Sequence, residues 1–350
     1  MLSSILAPIF VFAVIVIIHE SGHFLLAKAT GMKVDEFAVG FGPKICSCRK
    51  GETEYSLRLI PLGGYNKIAG MGEDENTDER AFSQKPVWAR LIVILAGSVF
   101  NVLLAFFIFV GIFAVNGVYS FNHEPMVGST IEGSSAHDAG LAAGDKIISI
   151  NGEKVEKWED ISRLTSDKIG RVLLLTYERN KEIATVTVIP QDNGQGRAIV
   201  GITPKLTETP VSFPDALVMG FDRCVFIMEQ IYEGMAGLVR GEGTGDVAGP
   251  IGVARMAGMV ADSGMVSLLA FIALLSLNLG FLNLLPIPLL DGGVFWLTVM
   301  EGIYGKALPH RALIVIQSVG IIFLLFLFLL AMNNDCLLYT SDAADDSPPV

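Results

Sequence analysis

Histidines at positions 19 and 23 and a glutamate at 20 form the string HESGH. Helix positions four apart share one face, so His19 and His23 could bind a single metal while Glu20 acts on a bound water. Hydrolytic zinc takes three protein ligands and keeps one position open, so the two histidines leave the set incomplete. Asp291, in NLLPIPLLDGG, is the candidate third ligand. Pro286 and Pro288 break the preceding helix and could bend the chain back, and Gly292 and Gly293 permit close approach. A plainer role for Asp291 is to cap a helix end.

The surroundings decide how much weight HESGH carries. It lies inside VFAVIVIIHESGHFLLAKA, a run apolar enough for a bilayer. Ionisable side chains in hydrocarbon are costly, which makes them functional residues by default. The chemistry this spacing proposes is hydrolysis within a membrane.

The rest of the chain must supply that membrane setting. Its 350 residues are 51% hydrophobic with a mean hydropathy of +0.54, too apolar for an ordinary soluble domain. A formal charge of -11 with no basic stripe argues against nucleic acid as a partner. Cys46, Cys48, Cys224 and Cys336 offer neither a disulfide framework nor a paired zinc-knuckle pattern and read as free thiols. The N-terminal run lacks a basic leader and a small-residue cleavage site, so a retained first span is expected rather than a signal peptide.

Four segments, at about 5–27, 89–115, 266–290 and 312–332, meet the length of about 20 apolar residues that a span needs. Lys and Arg crowd the connection between the first two, and Lys306 and Arg311 sit between the last two. The positive-inside rule puts those connections in the cytoplasm, with both termini and residues 120–265 extracytoplasmic. Within the latter, 126–131, 146–151, 171–178 and 183–189 read as strands, with Asn151-Gly152 as a tight turn. Residues 213–239 carry apolar residues at helical spacing opposite a charged face, which suggests an interfacial helix on the outer leaflet. FAVGFGPKI and YSLRLIPLGGYNKIAGM are apolar and β-like, fit for hairpins dipping in beside the site. The acidic run 72–80 and His123, His137 and His310 read as solvated surface, and the tail CLLYTSDAADDSPPV shows no helical period.

The motifs together resemble a known family. AGLAAGDKIISINGEKVEKWEDI (139–161) is similar to PDZ domains of the bacterial protease type. HESGH, FGP (41–43), PLGGY (61–65), GPIGVA (249–254) and NLGFLNLLPIPLLDGG (278–293) resemble the site-2 protease family of intramembrane zinc metalloproteases, in particular the bacterial regulator-of-sigma-E protease type. The resemblance implies a Zn2+ cofactor held by His19, His23 and Asp291, with Glu20 as catalytic acid and base. It implies that Asn283 lies near bound substrate, and that Gly63, Gly64 and Tyr65 belong to a membrane-associated β-segment holding the substrate strand. Simpler roles for these residues are a hydrogen bond across helices for Asn283 and a turn for the glycines.

The expected fold is a polytopic α-helical membrane protein with four transmembrane helices, membrane-associated β-hairpins and one inserted extracytoplasmic PDZ-like α+β domain. Its parts are 1–118 (two spans, HExxH and hairpins), 122–205 (PDZ-like domain), 211–262 (amphipathic helix and linker), 263–335 (two spans with LDGG) and 336–350 (a disordered or non-native tail). The expected substrate is a single-span membrane protein of the anti-sigma-factor type, cut within the inner (cytoplasmic) membrane, with a peptide engaged at the PDZ-like domain. The competing reading is a catalytically inactive PDZ-bearing membrane scaffold. A metal transporter would want polar groups through several spans, and none are visible. Three departures from the family stand out: one PDZ-like domain where two are frequent, Ser98 in AGSVFN where proline is usual although Asn101 is kept, and Val294 where His or Arg is common.

Overall fold

Long apolar runs become the long helices of this protein, and α1 tolerates Pro8 close to its start. The computed structural model describes residues 2–71, 78–121, 124–192, 198–241, 249–306 and 309–345. The chain divides into two units, 1–112 with 213–350, and 113–212. In the first unit, helix α1 (Leu2–Ala29) leads into strands β1 (Val34–Lys50) and β2 (Thr53–Ile68), and helix α2 (Val87–Asn116) follows. After the second unit come α5 (Phe213–Val239), α6 (Pro250–Asp262), α7 (Met265–Leu282), α8 (Asp291–Tyr304) and α9 (His310–Asp345). Among the described residues, four helices hold stretches long and apolar enough to cross a membrane: Leu6–Ala29, Val87–Asn116, Met265–Leu282 and Arg311–Cys336.

Three stretches differ from the sequence expectation. The third apolar helix ends at Leu282 rather than 290, because Pro286 and Pro288 lack the N–H a helix needs and restrict the residues before them. Residues 283–290 turn instead, and α8 restarts the helix at Asp291. The linker after α5 contains α6, whose Ala257 is buried against Val11 and Ile15 of α1 and Phe271 and Ile272 of α7. Finally, α9 continues to Asp345 through most of the expected unstructured tail, since extending an existing helix is far easier than starting one. Residues 346–350, His123 and 72–77 of the acidic run lie outside the described residues.

Strands β1 and β2 form one continuous hairpin that folds on itself. Val34 to Val39 pair with Ile68 back to Gly64, and Glu36 to Val39 are also in register with Glu54 to Leu57. A strand has two edges, so the first half of β1 lies between two runs of β2. Residues 44–50 then pair with 53–58 on the outside. Side chains alternate across such a sheet. Phe37 and Tyr55 turn toward α1, where Phe24 meets their rings at 5.3 and 5.8 Å.

Two apolar clusters bracket HESGH. One joins Ala27 of α1, Val34, Ile68, Phe82, Val93 and Ile94, with Val294 and Phe295 of α8 packed on it. Val294 thus fills apolar space beside this cluster. The other is the α1, α6 and α7 cluster described above. Lipid is as apolar as leucine, so helices hold together in a bilayer through close packing and polar contacts. The bidentate pair from Arg90 of α2 to Glu301 of α8, at 2.9 and 3.0 Å, is such a contact and ties α8 to α2.

The second unit is α+β. Strands β3 (Val118–Phe121), β4 (Val127–Thr130), β5 (Lys146–Ile150), β6 (Glu153–Lys154), β7 (Leu173–Arg179), β8 (Glu182–Val188), β9 (Gln191–Asp192), β10 (Ala198–Ile199), β11 (Ile202–Pro204) and β12 (Leu206–Thr209) alternate with helices α3 (Ser135–Asp138) and α4 (Trp158–Thr165). A sheet of order β6-β5-β7-β8 covers the core, which includes Val127, Ile147, Ile150, Ile161, Leu173, Leu175 and Val200. Asn151 and Gly152 have φ of 51° and 80°, the left-handed pair that a two-residue hairpin turn needs.

Candidate metal centre

One turn of α1 separates His19 from His23, and both are buried. Their Nε2 atoms lie 3.2 Å apart, and each is 3.2 Å from Oδ2 of Asp291. The three atoms form a triangle with equal edges. A tetrahedral zinc ion with bonds of about 2.0–2.1 Å separates its ligand atoms by about 3.3 Å, so this donor set fits one. Asp291 Oδ2 is buried with no hydrogen bond of its own, the condition of an atom available to a cation. Among the described residues, no other group of three or more His, Cys, Asp or Glu side chains converges in this way.

The loop before α8 brings Asp291 there. The Gly292 N–H donates to the Asn283 carbonyl at 2.6 Å, closing residues 283–292 into a tight turn in which Leu289 takes a φ of 79°. A Cβ on Gly292 would overlap the carbonyls of Leu284 and Leu285. Asn283, expected near substrate, is a buried residue at the C-terminal end of α7, and its backbone anchors the loop that carries Asp291.

Helix α2 closes the other side. Gly22 of α1 touches the backbone of Ala96, and a Cβ on Gly97 would overlap both imidazoles. His23 Nδ1 meets the Val93 carbonyl at 2.8 Å. Donation there leaves the Nε2 lone pair free for a metal. His19 Nδ1 faces the side-chain amide of Asn101 at 3.4 Å.

Glu20 points to the sheet instead. Asn66 of β2 donates from Nδ2 to Glu20 Oε2 at 2.8 Å and to the Glu20 main-chain carbonyl at 2.7 Å. Two residues earlier, Gly64 passes so close that a Cβ would lie 3.2 Å from Glu20 Cγ. Of the expected substrate residues, Gly64 therefore adjoins Glu20, and Gly63 abuts the ring of Phe41. Tyr65 turns to the opposite sheet face, where its hydroxyl donates to Glu36 at 2.9 Å and accepts from Arg58 at 2.6 Å. Burial pushes the Glu36 carboxyl up, but hydrogen bonds from Ser56, Arg58 and Tyr65 outweigh it and hold the group down at about 2.

Sequence reasoning did not single out Asn66, Gly97 or a task for Asn101. The available signals were strand alternation, which puts Asn66 on the face of Gly64, and the four-residue spacing from Gly97 to Asn101, which puts both on one face of α2.

With this geometry in view, similar proteins carry weight. The family model for peptidase family M50 matches residues 7–327. A protein of Clostridium acetobutylicum named as a zinc metalloprotease is 35% identical over 334 residues, covering 95% of this chain and 97% of that protein. The regulator of sigma-W protease RasP of Bacillus subtilis is 30% identical over 415 residues, covering 95% and 98%. That alignment is longer than this chain, so RasP carries segments with no counterpart here. Among solved structures, the PDZ domain of the SdrC-like protein from Listeria monocytogenes matches 25% of this chain and 93% of its own, with 22% identity and a TM-score of 0.22.

Proposed function

The chain belongs to peptidase family M50, and from that premise we propose that it is an intramembrane zinc endopeptidase that cuts a membrane protein within or near its transmembrane segment. The observation that carries this reading is the 3.2 Å triangle of His19, His23 and Asp291, one residue from Glu20, on a helix apolar enough to cross a membrane.

His19, His23 and Asp291 would hold the zinc. Bound there, zinc supplies the Lewis acidity that acidifies water and polarises a peptide carbonyl. Glu20, steadied by Asn66, takes the proton of the attacking water and delivers it to the leaving amine. Asn283 would serve the substrate backbone near the scissile bond. A transmembrane substrate hides its carbonyls in helical hydrogen bonds and must unwind to be cut. The strand containing Gly63, Gly64 and Tyr65 lies against the catalytic helix and offers an edge on which an unwound segment could re-pair its backbone.

The protein is a multi-pass membrane protein. In the proposed topology its four apolar helices span the inner membrane, the β1–β2 hairpin faces the cytoplasm and the second unit lies outside. There, residues 122–205 would act as a PDZ-like filter. A groove of about 210 Å³ between α4 and residues 198–202, lined by Trp158, Ile161, Thr165, Ile199 and Ile202, suits an extended apolar peptide. The RasP relative's name supports regulated proteolysis, with a single-span anti-sigma factor as the proposed substrate.

Glu20→Gln in detergent tests the reading on a model single-span substrate. We expect about one zinc per chain to remain and cleavage to fall by roughly 10²–10⁴-fold. Undiminished cleavage would sink the mechanism, and wild-type protein without zinc would favour the inactive scaffold.

A further inference from the structure

We propose that Asn101 is a positioning residue that fixes the ring orientation and tautomer of His19, its Oδ1 accepting a hydrogen bond from His19 Nδ1–H. The inference rests on the zinc reading of the triangle and adds to it a side chain outside the ligand set. His19 Nε2 lies 3.2 Å from both His23 Nε2 and Asp291 Oδ2, so that nitrogen must present its lone pair to the metal. A neutral imidazole then carries its one proton on Nδ1. An N–H left unpaired in a buried site is costly and leaves the ring free to turn.

The group in reach of that N–H is the amide of Asn101, 3.4 Å away. Asn101 is fully buried, and its Oδ1 has no other hydrogen-bond partner. The oxygen and nitrogen of a side-chain amide exchange places by a half-turn that leaves its shape unchanged, which presents Oδ1 to Nδ1–H.

The residue is held where this requires. Its carbonyl accepts from Ser276 of α7 at 2.8 Å, and Gly280 of α7 comes so close that an added Cβ would sit 3.4 Å from Asn101 Cβ. One turn earlier on α2, Gly97 presses on both imidazoles. The two histidines are thus oriented by different means. His23 leans on a main-chain carbonyl that no side-chain substitution removes, whereas His19 leans on a single side chain.

The test compares wild type, Asn101→Leu and Asn101→Asp as full-length proteins in detergent. It measures zinc retained against a graded chelator, the visible spectrum of the cobalt-substituted site and the thermal midpoint of the metal-free protein. Asn101→Leu should bind zinc about 10- to 100-fold more weakly, alter the cobalt spectrum and leave the metal-free midpoint near wild type. Asn101→Asp keeps an acceptor and should recover most of the affinity. Wild-type zinc retention by Asn101→Leu would overturn the proposal. So would equal zinc loss in both variants with a lowered metal-free midpoint, which marks a packing role. Wild-type protein that binds no zinc would take down the metal reading and this proposal with it.

Discussion

The two faces of α1 hold their functional groups by opposite means. His19 and His23 face α2, where glycines on both helices bring backbone against ring and the Val93 carbonyl fixes one imidazole. Glu20 faces a β-sheet and is held through the side chain of Asn66. In the proposed roles, helix packing sets the ligands, while the base, Glu20, is tied to the sheet proposed to receive substrate. A displacement of that sheet would then move the base and leave the ligands in place.

The sharpest way to break this contrast is Gly97→Ala. A Cβ there overlaps His23 Nε2 and His19 Cε1, and the least costly relief is for the rings to leave the triangle while the helices stay packed. Zinc retention should be lost, and with it all cleavage, while far-ultraviolet circular dichroism stays unchanged; retained zinc would show that the mould is soft. Asn66→Leu probes the other face. It should keep one zinc per chain and slow cleavage by about 10- to 100-fold, as expected for a misaligned general base. Zinc loss in that variant would erase the distinction between the faces.

The same contrast explains what was legible in the sequence. His19, Glu20 and His23 sit on one element at a fixed helical spacing, and Asp291 sits in a stretch marked by prolines and glycines, so local pattern was enough to single them out. The strands around Asn151-Gly152 were legible because alternation and a turn pair are local as well. Asn66 approaches Glu20 across 46 residues through the register of a sheet that folds back on itself, and no short window encodes that register. Gly97 bore no chemical functionality to attract notice, and its role appears only once α1 lies against it. Helix α6 was missed for a related reason: its value lies in packing on α1 and α7, which composition does not reveal.

Glu36 offers the mildest probe, on the sheet face turned away from Glu20. Its carboxyl is held down at about 2 against an ordinary value near 4.5, so the charged form is stabilised by folding. That contribution is complete above about pH 5 and disappears as pH falls from there toward 2, because the unfolded chain takes up the proton first. Glu36→Gln should therefore lower stability by roughly 1–2 kcal/mol at neutral pH and have progressively less effect below pH 4. Thermal unfolding in detergent at several pH values reads this directly. If the hairpin alone carries the base, the variant should slow cleavage slightly at pH 7 without touching zinc affinity. A zinc affinity that follows Glu36 would mean that the far face of the sheet reaches the ligands too, and that the two faces of α1 are one mechanical unit.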